Sequence, residues 1–426
     1  MGKLDISASS NAPDELADAI ETRSIFRTKL CGISLGLIIT GLIMSDFLRP
    51  PFVAVNINSE ASSHVIPPLV TAIHLVANIV LLIPSIILAM FEPIDFRNLG
   101  IFPLLAGALV IIAMLSIIAN IDSRSMVYIA VLALTFTSSA LFIGSRHGRT
   151  IGAEAFMASL AIGCGASLVI AIALGEYSWG RLASRAGPTY WGMVAIMTFS
   201  LAFALRKPML RFGVIGLACA ALVLCSARGG MLAVSLAAIV VAAVTLNRTP
   251  AKQRGRLVAI LIPVLIVSPV ALAWAADHLL AISDPSRGMS SGATGRTYAW
   301  AEAWSLFEEH PFLGIGYRRH EQFITAATSA HEAYLAVLAE MGVAGLFFYV
   351  VLLVGAAVRM TSRALREDDA LVPLTAASFM WAYILIGLTE NLALNTGLAM
   401  PLTMMFVTAL GWSIPDRTRA PKAQLA

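Results

Sequence analysis

Long apolar runs separated by short polar loops set the pattern of this chain. Stretches near 30–47, 67–90, 99–119, 126–144, 154–175, 191–205, 210–225, 230–246, 257–275, 333–357, 371–388 and 397–412 are apolar. Most approach the roughly 20 residues that a helix needs to cross a hydrocarbon core about 30 Å thick. In lipid each backbone N–H and C=O must be paired within its own segment, so such runs predict helices. The expectation is an all-α polytopic membrane bundle of about 12 transmembrane helices. The two short runs, 191–205 and 210–225, have the least sharply drawn ends.

Composition agrees with that pattern. Of 426 residues, 58% are hydrophobic and 13% charged, about half the charged share of a soluble domain. The net charge of +4 does not point to nucleic acid, because the arginines and lysines are scattered through short loops rather than gathered in one stripe. Their distribution carries orientation instead. With the N-terminus in the cytoplasm, 20 of the 29 basic residues fall on the inner side and 9 on the outer, and basic loops resist translocation. A multi-pass membrane protein with both termini cytoplasmic follows as the expectation.

The same reading divides the chain into a cytoplasmic N-terminal tail (1–29), spans one to nine (30–275), a periplasmic loop holding an amphipathic helix (276–332), spans ten to twelve (333–412) and a cytoplasmic tail (413–426). Residues 1–29 mix both signs of charge with no small-residue cleavage site after them, unlike a signal peptide. Within them, 14–29 predicts a short surface helix. Cys31, Cys164, Cys219 and Cys225 fall in apolar runs without paired spacing, so neither a disulfide framework nor a metal site is indicated. No repeat relates the two halves.

Chemistry concentrates at the outer ends of the spans. Arg228, in Ser226-Ala227-Arg228-Gly229-Gly230, opens span eight. A cation gains nothing from a helix N-terminus, whereas an anion there would meet the guanidinium and the free amides together. The flanking glycines admit a ligand or another helix. The bland reading is an arginine at the headgroups. Arg296, after Thr294-Gly295, repeats the arrangement at the start of a helix predicted through Glu309, with Thr294 as N-cap. Trp300, Trp304 and Phe307 share one face of that helix, suited to lying on the membrane interface as an anchor. Two guanidinium forks from different segments suit a diphosphate.

His331 precedes span ten at the same level, and histidine is the side chain best able to exchange a proton near neutral pH. His310 and His320 are weaker candidates. Glu340 lies about 12 Å inside span ten, where a carboxylate must be paired, protonated or facing a wet cavity. Glu390 and Asn391 close span eleven on the outer side. The acids of the outer loop are scattered, and no cofactor motif is present, so neither a metal nor a cofactor is expected.

With those residues in view, the chain resembles the O-antigen ligase and O-antigen/exopolysaccharide polymerase superfamily, glycan transferases of bacterial inner membranes. Ser-Ala-Arg-Gly-Gly at 226–230, Thr-Gly-Arg…Trp…His-Pro-Phe-Leu-Gly-Ile-Gly from Thr294 to Gly316, and His-Glu-Ala-Tyr-Leu…Glu-Met-Gly-Val-Ala-Gly-Leu from His331 to Leu346 carry the resemblance. It is strongest over 215–350. It implies metal-independent transfer of a glycan from a polyprenyl diphosphate carrier at the periplasmic face, with Arg228 and Arg296 on the diphosphate and His331 assisting deprotonation of the acceptor hydroxyl. Glu332, Glu340, Arg318, Arg319 and Glu390 would support them. Glu332 departs from the asparagine common in relatives. It could raise the basicity of His331 or pair with an arginine.

The acceptor would be a growing glycan (a polymerase) or lipid A-core (a ligase), and chain-length regulator and export proteins would be the partners. The sparse basic charge outside favours an exopolysaccharide or O-antigen polymerase. The reading of another class is a secondary transporter or lipid-linked glycan flippase, since Gly144-Ser145-Arg146-His147-Gly148-Arg149 is similar to inner-loop motifs of such carriers. The lack of half-to-half symmetry and the scarcity of mid-span charges, Glu340 excepted, weigh against it.

Overall fold

The computed structural model describes residues 12–52, 67–118, 123–178, 180–255, 296–325 and 330–414. Within them the protein is a helical bundle with one small antiparallel hairpin, Tyr177–Ser178 against Arg181–Leu182, so the all-α expectation needs only that amendment. The helices are α1 Ala12–Ser45, α2 Pro68–Val80, α3 Leu82–Phe91, α4 Phe102–Ser116, α5 Ser123–Gly144, α6 Ala153–Leu174, α7 Pro188–Leu201, α8 Pro208–Cys225, α9 Arg228–Arg248, α10 Arg296–Glu309, α11 Ala333–Arg366, α12 Leu371–Ile386 and α13 Ala399–Trp412. Prolines in the first turns of α2, α7 and α8 supply a preset φ where no donor is lost.

Seven helical units are long and apolar enough to cross a membrane by length and composition. Four shorter apolar helices stand beside them: α4, Pro188–Ala204, α12 and α13. The expected twelve spans therefore stand as seven long and four short apolar helices among the described residues. The ninth run, 257–275, and the Thr294 cap lie outside those residues. The N-terminal segment differs from the expectation: α1 starts at Ala12 and runs unbroken into the first span, so 12–29 is not a separate surface helix. Apolar continuity past Lys29 lets one helix extend through both.

The contacts sort the helix ends into two coherent sets. At one end Arg206 clasps Glu154 (2.5 and 2.6 Å), Arg146 and His147 meet Glu21 (2.8 and 3.2 Å), and Arg248 donates to the carbonyls of Ala364, Glu367 and Asp368. The carrier-like segment at Gly144–Arg149 belongs here and is structural. Ser145 bridges to Ile94, and buried Arg149 donates to the Ile414 carbonyl. At the other end buried Asp46 pairs with Arg49 (2.5 Å), Asn78 donates to the Thr396 carbonyl (3.0 Å), and Arg181 of the hairpin caps the Cys225 carbonyl of α8 (2.9 Å). Arg228, Arg296 and His331 all lie at this second end.

Candidate active site

The corner between α8 and α9 is made by Ser226, which takes the left-handed conformation (φ 47°, ψ 42°) and turns the chain back on itself. Arg228 is then the first residue of α9. The glycines that follow are there for packing. A Cβ on Gly229 would sit 2.5 Å from Thr389 Oγ1, and one on Gly230 would sit 2.8 Å from Leu222 Cδ2. Of the two readings open for this motif, close approach of another segment is the one observed. Its effect is to press the first turn of α9 against the turn that follows α12.

Arg296 reaches the same turn from another direction. One guanidinium nitrogen donates to the Thr389 carbonyl (2.6 Å) and another to Glu390 Oε1 (3.2 Å). Its helix, α10, spans the predicted Arg296–Glu309, but it seats on α11 through small residues: Ala299 and Ala303 are its buried positions. The aromatics flank that seam. Trp304 is 47% exposed, packs against Phe307 with ring centroids 5.2 Å apart and the rings tilted at 60°, and donates to Glu308 (2.7 Å). An exposed Trp–Phe pair on an outer helix fits an interfacial anchor.

His331 arrives third. Its φ of 47° is unusual for a residue with a Cβ, and such strain persists where the surroundings hold it. Here the backbone N–H of Ala333 donates to the Gly387 carbonyl (2.7 Å), and Tyr334 donates to the Ile384 carbonyl (2.8 Å). The turn Gly387–Asn391 thus touches Gly229, Arg296 and the start of α11. Three segments far apart in sequence meet on it. Glu332 is explained otherwise than either reading expected: it is the N-cap of α11, accepting from the Leu335 N–H. Burial raises its carboxyl above the ordinary range, while the amides of Leu335 and Tyr334 pull it back.

Below this rim the His310–Gly316 loop locks into a break in α11. Gly342 adopts φ 64°, ψ −166° inside the helix, which exposes backbone groups to the loop. Ile315 N–H donates to the Ala339 carbonyl (2.9 Å), Gly316 N–H to the Glu340 carbonyl (3.1 Å), and Val343 N–H to the Pro311 carbonyl (2.9 Å). The break also divides a helix of about 51 Å so that the part after Gly342 alone is long enough to span. Glu340, beside the break, is buried against buried His320 with Nδ1 2.5 Å from Oε1. Asn391 Nδ2 lies 3.3 Å from the far nitrogen of that ring and 3.3 Å from Glu321. Consistent roles put the imidazole proton on Nδ1, donated to Glu340, with Nε2 accepting from Asn391.

His320 was the residue underrated by sequence, and Thr389 the one missed. A deep carboxylate demands a partner, which was the available signal. Arg318 meets Glu321 at 3.4 Å and Arg319 lies over Phe323 at 5.6 Å, both on the loop that carries His320. The pair itself predicts a stability effect. Glu340→Ala leaves a buried imidazole N–H without its acceptor and is expected to cost about 1–3 kcal/mol. His320→Leu combined with Glu340→Leu should recover much of that loss. Thermal melts in detergent of the three variants check this; a double variant no better than Glu340→Ala rejects it.

Among the described residues no group of three His, Cys, Asp or Glu is placed to hold a metal ion. The rim gathers arginine and histidine residues of three segments around one turn. Residues 212–350 match the family model described as O-antigen ligase. That stretch begins in α8 and ends in α11, so it contains Arg228, Arg296, His320, His331 and Glu340. The chain has no match among curated proteins.

Proposed function

We propose that this membrane protein, which carries an O-antigen ligase domain at residues 212–350, transfers a glycan from a polyprenyl diphosphate to a sugar hydroxyl on the outer face of the inner membrane. One observation carries the reading: Gly229 next to Arg228, the Arg296 guanidinium and Ala333 two residues after His331 all meet the Gly387–Asn391 turn. The acceptor oxygen attacks the anomeric carbon as the bond from that carbon to the diphosphate oxygen breaks. His331 takes the hydroxyl proton. The electron pair leaves with the diphosphate, whose growing charge the two preset guanidiniums stabilise. Attack opposite the leaving group inverts the anomeric centre. The exposed apolar flanks of the bundle, such as Leu104, Ile111 and Phe347, give the polyprenyl tail a route in from lipid. Glu21 and Ile414 lie at the end opposite the site, which supports cytoplasmic termini under the basic-side rule.

Polymerisation of exopolysaccharide or O-antigen repeat units is the preferred reaction, because only nine basic residues fall outside to meet a phosphorylated lipid A-core. The test uses purified protein in liposomes with a labelled carrier-linked oligosaccharide. Transfer to a glycan acceptor, unchanged by a metal chelator, is the expected result. Transfer to lipid A-core alone would make it a ligase, and relocation across the bilayer without bond cleavage would make it a flippase.

A further inference from the structure

A second group of guanidiniums lies on the same end of the bundle, beyond the rim just described. Tyr317 is anchored twice: its N–H donates to Ser116 Oγ (3.0 Å) and its hydroxyl to the Leu394 carbonyl (2.7 Å). This anchoring holds the next residue, Arg318, at φ 61°, a conformation costly for a side chain with a Cβ. The strained backbone aims its guanidinium over the ring of Tyr128, 5.5 Å from the centroid. Arg124, one turn earlier on α5, lies 5.8 Å from the same centroid. Two cations from distant segments share one aromatic ring.

At Arg318 the counter-charge is shared with other groups. The Arg318 side chain is 11% exposed, and the carboxylate paired with it, Glu321, stands 3.4 Å away. Glu321 is shared with Asn391. Glu340 also faces Arg318, but its carboxylate is already joined to His320. Arg318 Nε is buried with no hydrogen-bond acceptor among the described residues, and a buried unmet donor is costly. A like-charged neighbour and an unmet donor at one point are both answered by the same thing, an oxyanion.

We propose that Arg318 and Arg124, around Tyr128, form a subsite for an acidic saccharide, binding it through a carboxylate or phosphate substituent. The subsite is continuous with the rim, since Glu321 meets Asn391, and Glu390, next in the chain, meets Arg296. An acidic sugar of the donor or acceptor glycan would occupy it while the diphosphate occupies the first site, so its role in transfer rests on the function proposed above.

The experiment measures binding of three fluorescent tetrasaccharides to the full chain in lipid nanodiscs. One contains glucuronate, one is its carboxyl-reduced neutral counterpart, and one bears a phosphate ester. At least one acidic probe is expected to bind about tenfold more tightly than the neutral one, and the tighter of the two identifies the substituent. Arg318→Gln and Arg124→Gln are expected to bring that probe to the neutral level, and Arg206→Gln, at the opposite end of the bundle, to leave its binding within about twofold. Arg124 sits on an exposed first turn, so its variant reads the subsite without disturbing the buried loop. Equal binding of all three probes, or wild-type affinity in both the Arg318 and Arg124 variants, overturns the proposal. So does loss confined to Arg206→Gln. Absence of glycan transfer in liposomes would remove the proposed reaction yet leave these binding differences standing, so the two failures are told apart.

Discussion

Alanine at Arg296 is expected to lower glycan transfer at least about a hundredfold, with alanine at Arg228 or His331 giving losses of similar size. Arg296 has two jobs that a single substitution confounds. It balances Glu390, whose side chain is 12% exposed, and it offers a fork to the leaving diphosphate. Removing it strands a carboxylate, which by itself lowers stability. Combining Arg296→Ala with Glu390→Gln separates the two, because the carboxamide no longer needs a cation. Under the proposed chemistry the double variant melts close to the wild type, and transfer remains low. Arg296→Lys keeps the charge but not the planar fork and should fall between. The measurement is the initial rate of labelled-glycan transfer in proteoliposomes beside the melting temperature of each variant. Restored transfer in the double variant would make Arg296 a structural partner of Glu390 and remove it from the site.

The parts of this molecule that sequence revealed are those written locally. Apolar runs announced helices because lipid leaves the backbone no other partner, and α10 was predictable as far as its C-terminal end at Glu309. The arginines were noticeable because a cation at a helix N-terminus is out of place. What could not be read was which segments touch. Nothing local says that Gly229 faces Thr389, or that His320 rather than His331 lies against Glu340. Those pairings depend on helix order and on a loop folding back onto a broken helix, information spread across α11 and the turn after α12. Glu332 is a case of the same kind. Next to a histidine it invited a chemical reading, and only the structure shows its carboxylate accepting from the free Leu335 amide at the start of α11. The motif glycines were ambiguous for the same reason, since ligand access and close packing both call for a missing side chain.

The glycines of the interlock carry the second large effect. Gly342→Ala is expected to destabilise the protein by about 3–5 kcal/mol, more than most single substitutions. Two costs combine. At φ 64° and ψ −166° a Cβ is poorly tolerated. The added methyl would also lie 2.6 Å from the Leu313 backbone nitrogen, a contact that no side-chain rotation relieves. Gly314 is the mirror of this, with φ 68° and a Cβ position 2.5 Å from the Ala339 carbonyl oxygen. Relief requires the loop to lift from α11, which gives up the bonds from Ile315 to Ala339 and from Gly316 to Glu340 and loosens His320 against Glu340. Transfer should therefore fall in Gly342→Ala at temperatures where the helices remain formed, because the rim rests on that interlock. Gly213 in α8 is the matched control: nothing lies within 4 Å of its Cβ position, and an interior helical glycine changed to alanine gains up to about 1 kcal/mol. Melting curves of the two variants side by side make the comparison. A Gly342→Ala protein as stable as Gly213→Ala would mean that the loop and the broken helix are not in contact, and the rim would lose its support.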